Sequence, residues 1–324
     1  MEVTSQMEYR TLGRTGLKVS EICLGTMQFK WTTDETASYA VMDAFVEAGG
    51  NFIDTADIYS NWAPGLKGGE AETIIGEWMK QRKRRDKIML ATKVRGRMWD
   101  GPDGEGLSRQ HIVRAAEDSL RRLQTEVIDL YQTHWPDENT PIEETMRALD
   151  DLVKQGKVRF VGCSNYSGAQ LADAVNTARA AGLAEYLTIQ PHWSLVERHN
   201  FETNTYATVK QFDIAIIPYS PLGRGFLTGK YRRGQPLPES KRRGSVEKLL
   251  ADKNFDLLDK LEEIGKARGK TPGQIALGWL LAKEDVASTI IGANTVEQLG
   301  DSLGAAGLKL TAGEMSALNQ LSAW

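Results

Sequence analysis

The stretch NFIDTADIYS, residues 51–60, begins as an apolar strand and then places two carboxylates and a phenol at Asp54, Asp57 and Tyr59. A short apolar run that ends in a polar turn is typical of a strand buried on both faces of a parallel sheet. In such a sheet the polar residues lie at the carboxyl end of the strand, where the following loops gather. The rest of the chain should therefore contain further strands of the same kind.

Seven more runs have this character, and helical patterns separate them. These seven runs are VSEICLGT (19–26), IMLATKV (88–94), VIDLYQTH (127–134), RFVGCSN (159–165), YLTIQP (186–191), IAIIPYSP (214–221) and ASTIIGA (287–293). Residues 51–56 are the eighth. Most of the intervals are about 30 residues long, the length of one strand-plus-helix unit. Eight such units predict an α/β fold, a (β/α)8 TIM barrel, as a single domain over residues 1–324.

Two segments fall outside the eight units. YRTLGRTGLKVS, residues 9–20, is predicted to form an N-terminal β-hairpin that plugs one end of the barrel. The long interval between the seventh and eighth runs predicts extra helices and loops at the C-terminal face, including a helix around Phe255 to Arg268.

Local signals predict several helix ends. Thr140 and Glu143 have the spacing of a capping box, and Gly156 stands where a glycine would end the same helix. Thr271 and Pro272 predict the start of another helix.

Composition excludes several classes of partner. Forty basic and 43 acidic residues give a net charge of −3, so no strong field would draw nucleic acid or an anionic membrane. Cys23 and Cys163 lie far apart in apolar runs and predict neither a disulfide framework nor a metal site. The start has no leader pattern, and no apolar run reaches the roughly 18 residues of a membrane span. We expect a cytoplasmic protein that acts on a small molecule, with its oligomeric state left open.

Four polar side chains fall at the ends of three successive strands. Asp54 ends the second strand with Tyr59 beyond it, Lys93 ends the third and His134 ends the fourth. A lysine near a core is costly to bury without a carboxylate, and Asp54 is the expected partner. The charged Lys93 is expected to lower the pKa of Tyr59, so that the phenol acts as a general acid near neutrality. A neutral His134 would orient a substrate carbonyl, while Asp57 would only structure its loop.

The later strand ends are suited to a bound cofactor. Ser164, Asn165 and Gln190 offer hydroxyl and amide groups, and Tyr219 offers an aromatic face. The following segment SPLGRGFLTGK, residues 220–230, is rich in glycine, and loops after the seventh and eighth strands of such barrels often bind phosphate.

With these motifs assembled, the chain resembles the aldo-keto reductase family over nearly its whole length. The motifs are DTADIYS, ATKV, YQTHWPD, VGCSN, IQPHWS, PYSPLGRGFLTGK and IIGANTVEQL. The resemblance implies reduction of aldehydes or ketones by hydride transfer from NADPH, with Tyr59 as acid, Lys93 and Asp54 as its activators, and His134 orienting the substrate. It further implies that the cofactor contacts Ser164, Asn165, Gln190, Tyr219, Ser220, Leu222, Gly225, Lys230, Gly292, Asn294 and Gln298.

The sequence departs from the family pattern near its end. Where many members have a basic residue for the 2′-phosphate of the cofactor, this chain has Asn294. NADPH remains the expected cofactor, with NADH as a possibility, and Lys230, Arg232 and Arg233 could supply the missing charge.

Tryptophans recur in loops that follow strands. Trp31, Trp62, Trp99, Trp135 and Trp193 do so, together with Met27 and Phe29. They predict an aromatic-lined pocket for a bulky or apolar carbonyl compound.

Two other functions stay open at this point. Lys93 could be the Schiff-base lysine of an aldolase or lyase, since barrels host such residues. The chain could instead be a regulatory subunit that senses its bound cofactor. The sequence does not identify the natural substrate or the physiological direction.

Overall fold

A computed structural model describes residues 7–238 and 243–324, and within them the chain forms ten strands. The strands are β1 (Tyr9–Thr11), β2 (Lys18–Ser20), β3 (Ile22–Gly25), β4 (Phe52–Asp54), β5 (Met89–Val94), β6 (Ile128–Thr133), β7 (Val158–Ser164), β8 (Thr188–Gln190), β9 (Ala215–Ile216) and β10 (Thr289–Ile291). All eight predicted barrel strands are present; seven are shorter than the apolar run that predicted them, and β7 has the same length but begins one residue earlier.

Strands β3 to β10 form one parallel sheet in the order β10-β3-β4-β5-β6-β7-β8-β9. Backbone hydrogen bonds join its two ends. The N–H of Ile216 donates to the carbonyl of Asp285 at 3.0 Å, and the N–H of Ile290 donates to the carbonyl of Pro218 at 3.0 Å. The sheet is therefore curled and closed, which confirms the predicted (β/α)8 TIM barrel.

Helices surround the sheet, with further helices in the long connections. They are α1 (Glu35–Glu47), α2 (Glu70–Arg82), α3 (Arg109–Leu123), α4 (Ile142–Lys154), α5 (Gly168–Ala181), α6 (His199–Asn204), α7 (Tyr206–Phe212), α8 (Arg243–Val246), α9 (Asp252–Arg268), α10 (Pro272–Leu281), α11 (Val296–Leu303) and α12 (Ala312–Leu321). Helix α9 is the extra helix that the long interval between the last two strands predicted.

The hairpin of β1 and β2 is antiparallel and pairs Tyr9 with Ser20. Leu12, in its turn, is fully buried in a cluster with the inward residues of the barrel, among them Phe52 and Leu130. Burying a side chain of this size contributes about 2 kcal/mol. The hairpin thus plugs the barrel with apolar side chains, as predicted.

Two of the three predicted helix signals are confirmed. Thr271 and Gln274 form the capping box of α10, and Gly156 follows α4 with φ 72°. The capping box predicted at Thr140 is wrong, because α4 begins after Pro141 without a side-chain cap. The hydroxyl of Thr140 donates instead to Asp137 Oδ2 at 2.8 Å.

Side chains alternate between the barrel interior and the helix layer along each strand. Phe52, Ala91 and Leu130 pack together inside the barrel, while Ile53 and Leu90 pack in the larger cluster beneath the helices. Residues two positions further along the same three strands must then also face inward, toward the carboxyl end. Those residues are Asp54, Lys93 and Gln132.

Candidate active site

Asp54, Lys93 and Tyr59 meet at the carboxyl end of the barrel. Lys93 Nζ donates to Asp54 Oδ1 at 2.5 Å, to the Thr55 carbonyl at 2.8 Å and to Tyr59 Oη at 3.0 Å. The side chains of Lys93 and Asp54 are 0% and 2% exposed. The ammonium therefore has three acceptors in a dry environment and joins the carboxylate to the phenol.

The second oxygen of Asp54 is also fully used. It accepts from Gln132 Nε2 at 3.1 Å and from Gln190 Nε2 at 2.9 Å. Sequence reasoning missed Gln132, although it lies two residues before His134 on the same face of β6 and could have been found by that spacing. The two amides fix the carboxylate from the side opposite Lys93, so its orientation toward the ammonium is determined.

The electrostatics of the site favour a charged lysine and a protonated phenol. Burial by itself would lower the pKa of Lys93, but Asp54 and Tyr59 outweigh burial and raise it above the ordinary value. Burial raises the pKa of Tyr59, and the nearby charge of Lys93 lowers it by less. The expectation that Lys93 brings the pKa of Tyr59 down toward neutrality is therefore wrong.

His134 directly follows β6 and lies beside the phenol. Its ring centroid is 5.9 Å from that of Tyr59 and 3.8 Å from that of Trp135, on which it stacks. Burial, followed by the charges of Lys93 and Arg95, lowers the pKa of His134 well below the ordinary value. The imidazole is thus neutral at physiological pH, and its Nδ1 is buried without a hydrogen-bond partner among the described residues.

Asp57 lies outside this group, although it belongs to the same loop. It is fully buried, and neither carboxyl oxygen has a well-formed hydrogen bond to any of the described residues. Burial and the charge of Glu72 raise its pKa well above the ordinary value. The carboxyl group therefore suits a place within the folded loop better than a charged role.

A second polar network connects the ends of β7, β8 and β9. Ser164 Oγ donates to the Gln190 carbonyl at 2.7 Å, and Asn165 Nδ2 donates to that hydroxyl and to the His134 carbonyl, each at 3.0 Å. Tyr219 Oη donates to Asn165 Oδ1 at 2.9 Å. These side chains therefore lie together next to the Tyr59 group, at the same mouth of the barrel.

One face of the Tyr219 ring is covered. His192 stacks on it, with the ring centroids 5.1 Å apart and an angle of 9° between the planes. The tyrosine is only half-buried, so a planar ligand could stack on its other face.

The segment after Tyr219 folds into tight turns. Gly223, Gly225 and Gly229 have φ values of 55°, 98° and 84°, which side chains rarely adopt. Lys230 is exposed, and its Nζ lies 3.4 Å from the position a Cβ would take at Gly225. No ion pair forms at Lys230 within the described residues. A glycine turn beside an unpaired ammonium fits the pyrophosphate of a dinucleotide. Ser220 and Leu222 are half-buried in the same turn.

The remaining predicted cofactor residues lie in the loop after β10. Asn294 Oδ1 accepts from the hydroxyls of Thr32 and Thr33 at 2.7 and 2.9 Å, and the Asn294 N–H donates to Gln298 Oε1 at 2.9 Å. Gly292 is exposed, and a Cβ there would come 3.1 Å from Gln28 Oε1. Asn294 is therefore held by neutral groups.

Two of the three basic residues expected to replace a cation at Asn294 are already paired. Arg232 pairs with Glu262 at 3.5 Å, and Arg233 pairs with Asp252 and Asp256. Of the three, Lys230 alone forms no ion pair with the residues that the structure describes.

Aromatic side chains line one side of the mouth. Trp31 and Trp62 meet edge to face at 5.6 Å, and Trp62 lies 6.2 Å from the Tyr59 ring. Trp62 and Trp135 are 44% and 41% exposed. Met27, which precedes Trp31 closely in the sequence, is half-buried.

Other loop aromatics do not join this group. Trp99 lies between the ring of His111, at 4.8 Å, and the guanidinium of Arg114, at 4.1 Å, and so packs on α3. Trp193 and Phe29 are 1% and 0% exposed and belong to the core. The prediction that Trp193 and Phe29 line a ligand pocket is wrong, because packing beneath the loops buries both side chains.

The comparison with known families agrees with this geometry. The profile of the Aldo/keto reductase family matches residues 21–323, and the chain belongs to that family of oxidoreductases. In the part of the chain that the structure describes, no helix is both long and apolar enough to cross a membrane.

Several relatives are similar over nearly their whole length. The uncharacterized oxidoreductase YrpG of Bacillus subtilis (strain 168) is 38% identical over 320 residues, 97% of this chain and 96% of that protein. L-glyceraldehyde 3-phosphate reductase of Escherichia coli (strain K12) is 33% identical over 307 residues, 92% of this chain and 87% of that protein. A probable voltage-gated potassium channel subunit beta of Oryza sativa subsp. japonica is 32% identical over 307 residues, 92% and 90% of the two chains.

Proposed function

We propose that this protein reduces an aldehyde or ketone with NADPH and that Tyr59 donates the proton to the carbonyl oxygen. The observation that carries the proposal is the chain of contacts from Asp54 through Lys93 to the Tyr59 hydroxyl, at 2.5 and 3.0 Å. A half-buried phenol next to a fixed positive charge can give up a proton and be stabilised as phenolate.

The residues at the mouth suit the cofactor. Ser164, Asn165 and Gln190 would hold its carboxamide, Tyr219 would stack on the nicotinamide, and Ser220, Leu222, Gly225 and Lys230 would follow the pyrophosphate. Gly292, Asn294 and Gln298 would surround the adenosine. The bound cofactor would supply a hydride to the carbonyl carbon. Because Asn294 brings no charge, we propose that NADPH is preferred only through Lys230 and that NADH is also used.

The side chains divide the remaining work among them. Tyr59 is protonated at neutral pH, so it can donate to the oxygen as negative charge develops there. Lys93 then stabilises the phenolate, and Asp54, fixed by Gln132 and Gln190, keeps the ammonium in place. The neutral His134 can donate a hydrogen bond that orients the carbonyl oxygen.

The Schiff-base alternative is disfavoured by the state of Lys93. An amine must be deprotonated to attack a carbonyl, whereas Asp54 and Tyr59 raise the pKa of this lysine. A relative named as a reductase of a small aldehyde also favours reduction. Another relative is named as a channel subunit beta. A regulatory role is therefore the alternative function, and slow turnover by this protein would support it.

The test is the substitution Tyr59→Phe, which removes the hydroxyl and keeps the ring. Reduction of aldehydes, followed by loss of reduced-cofactor absorbance, should fall at least ~10³-fold. Cofactor affinity from fluorescence titration should stay within about twofold, because the cofactor contacts are elsewhere. Tyr39→Phe, at a half-buried position on α1, is the matched control and should keep full activity. Full activity in Tyr59→Phe would refute the proposal.

A further inference from the structure

Arg95 lies at the carboxyl end of the barrel and, apart from its effect on the pKa of His134, has no part in the chemistry described above. It directly follows β5, and the N–H of His134 donates to the carbonyl of Val94 at 2.9 Å, so the backbone of Arg95 lies next to that of His134 at the carboxyl end of the barrel. Its own carbonyl accepts from Gly106 at 2.9 Å, which fixes its backbone. After burial and Lys93, the charge of Arg95 is a further cause of the lowered pKa of His134, which agrees with this position.

The charges near this strand end do not balance. Lys93 is paired with Asp54, and Arg97, two residues beyond Arg95, is paired with Glu105. Arg95 forms no ion pair anywhere in residues 7–238 or 243–324, and its Nε is buried with no acceptor. The guanidinium of Arg95 is therefore without a counter-charge among the described residues, and one of its N–H donors has no partner there.

The nearest candidate for a counter-charge is engaged elsewhere. Asp137 is close enough for Arg95 to help lower its pKa, against the effect of burial, but the two side chains form no ion pair. Its oxygens accept from the N–H groups of Leu107 and Asn139, at 2.8 and 3.0 Å, and from the Thr140 hydroxyl. The carboxylate therefore stabilises its own loop and leaves the guanidinium free.

The backbone at Arg95 is also unusual. Its φ is 136°, a value that glycine adopts readily and other residues rarely do. Strain of this kind persists where the surrounding structure enforces it, and it concentrates at sites that bind ligands. Arg95 is therefore unpaired, strained and partly buried, and its guanidinium has N–H donors free to bind a ligand.

We infer that Arg95 binds an oxyanion of the substrate, so that the natural substrate is an aldehyde or ketone carrying a carboxylate or a phosphate. The planar guanidinium presents parallel N–H donors that match either group. The inference rests on the proposed reduction and adds the chemical class of its substrate.

The test compares matched pairs of aldehydes that differ by the anionic group. Succinic semialdehyde is compared with butanal for the carboxylate, and glyceraldehyde 3-phosphate with glyceraldehyde for the phosphate. The readout is anion selectivity, the ratio of kcat/KM for the anionic member to that for the neutral member. Wild type should favour the anion in at least one pair, and the favoured pair identifies the group.

Arg95→Gln should lower that ratio by about tenfold or more and leave the neutral aldehyde within about twofold. Arg95→Lys should give an intermediate ratio, because it keeps the charge and loses the forked geometry. Arg97→Gln is the matched control and should leave the ratio unchanged. Arg95→Gly relieves the backbone strain, so it should lose selectivity without lowering the Tm.

The outcomes separate this inference from the proposed function. If wild type reduces neutral aldehydes and Arg95→Gln leaves both ratios unchanged, the assignment of Arg95 fails while the reductase stands. If wild type reduces no aldehyde at all, the proposed function itself fails. A variant that loses cofactor affinity in fluorescence titration, with both members of each pair affected equally, would show that Arg95 serves the cofactor and would also overturn the inference.

Discussion

Lys93 Nζ lies 2.5 Å from Asp54 Oδ1, and both side chains are almost completely excluded from solvent. The two residues come from neighbouring parallel strands paired in register, with Asp54 opposite Ala91. A buried ion pair of this kind offsets the cost of desolvation only when both partners are present and hydrogen-bonded. The pair therefore couples the stability of the barrel to the charge that Tyr59 contacts.

The first prediction concerns the cost of breaking this pair. Asp54→Asn leaves a buried ammonium and Lys93→Met leaves a buried carboxylate, so each should lower the free energy of unfolding by about 3–5 kcal/mol. The double variant should lose clearly less than the sum, as measured by urea denaturation. The exposed pair Arg147 and Glu143 is the control, with an expected coupling of about 0.5 kcal/mol. Additive losses at the buried pair would contradict the prediction.

The pH dependence of stability follows from the raised pKa of Lys93. The folded protein holds this proton to higher pH than the unfolded chain, whose lysines titrate near about 10.4. The contribution is therefore complete below that value and is lost as pH rises from it through the folded pKa. Wild type should lose unfolding free energy in this alkaline range more steeply than Lys93→Met, and parallel curves would show that the lysine is not the cause.

The third prediction concerns the pH profile of catalysis. Burial raises the pKa of Tyr59 above its ordinary value, so the phenol keeps its proton throughout the neutral range. Carbonyl reduction needs that proton and should stay level from neutral pH up to about 10. Oxidation of the corresponding alcohol needs the phenolate and should rise with pH over the same range. A fall in reduction centred between about 7 and 8 would mean that ligand binding lowers this pKa.

Much of the fold and the first contacts of the site could be predicted from the sequence. Apolar runs at regular intervals gave the strands, and the rule that working residues follow strand ends brought Asp54, Lys93 and His134 to one mouth. Side chains alternate along β6, so Gln132 shares a face with His134, and this spacing was a signal for Gln132. The prediction nevertheless omitted this single amide within an apolar strand.

Other features depended on packing and on competing partners. Whether the pKa of Tyr59 rises or falls depends on how far its surroundings exclude water, and composition does not reveal this. The cap expected at Thr140 failed because Asp137 takes its hydroxyl. Arg233 was expected to be free, but Asp252 and Asp256 of α9 approach it only in the folded chain.

The fourth prediction tests Gln132, the residue that sequence reasoning missed. Gln132→Leu removes one of the two amides on Asp54 Oδ2 and should lower the free energy of unfolding by about 1–2 kcal/mol. It should also reduce kcat more than it raises KM, because the amide acts on Lys93 through Asp54 and touches no substrate. Gln81→Leu is the matched control, since Gln81 donates to Tyr39 at an exposed site. Equal effects in the two variants would remove Gln132 from the site.

The fifth prediction concerns the aromatic side of the mouth. Trp62 is 44% exposed, meets Trp31 edge to face and lies 6.2 Å from the Tyr59 ring. An exposed indole next to the proton donor can cover the apolar part of a substrate, which contributes on the order of 1–2 kcal/mol. Trp62→Ala should therefore raise KM for a bulky aromatic aldehyde about tenfold and leave that for a small aldehyde within about twofold.

Trp324 is the matched control for Trp62, because it is 58% exposed and stacks against Arg198 and His199 instead. Its replacement by alanine should leave both KM values unchanged. If Trp62→Ala raises KM equally for the bulky and the small aldehyde, the indole stabilises the loop that carries Tyr59 and does not contact the substrate. In that case Tm should fall together with the rise in KM, whereas loss of a substrate contact leaves Tm nearly constant.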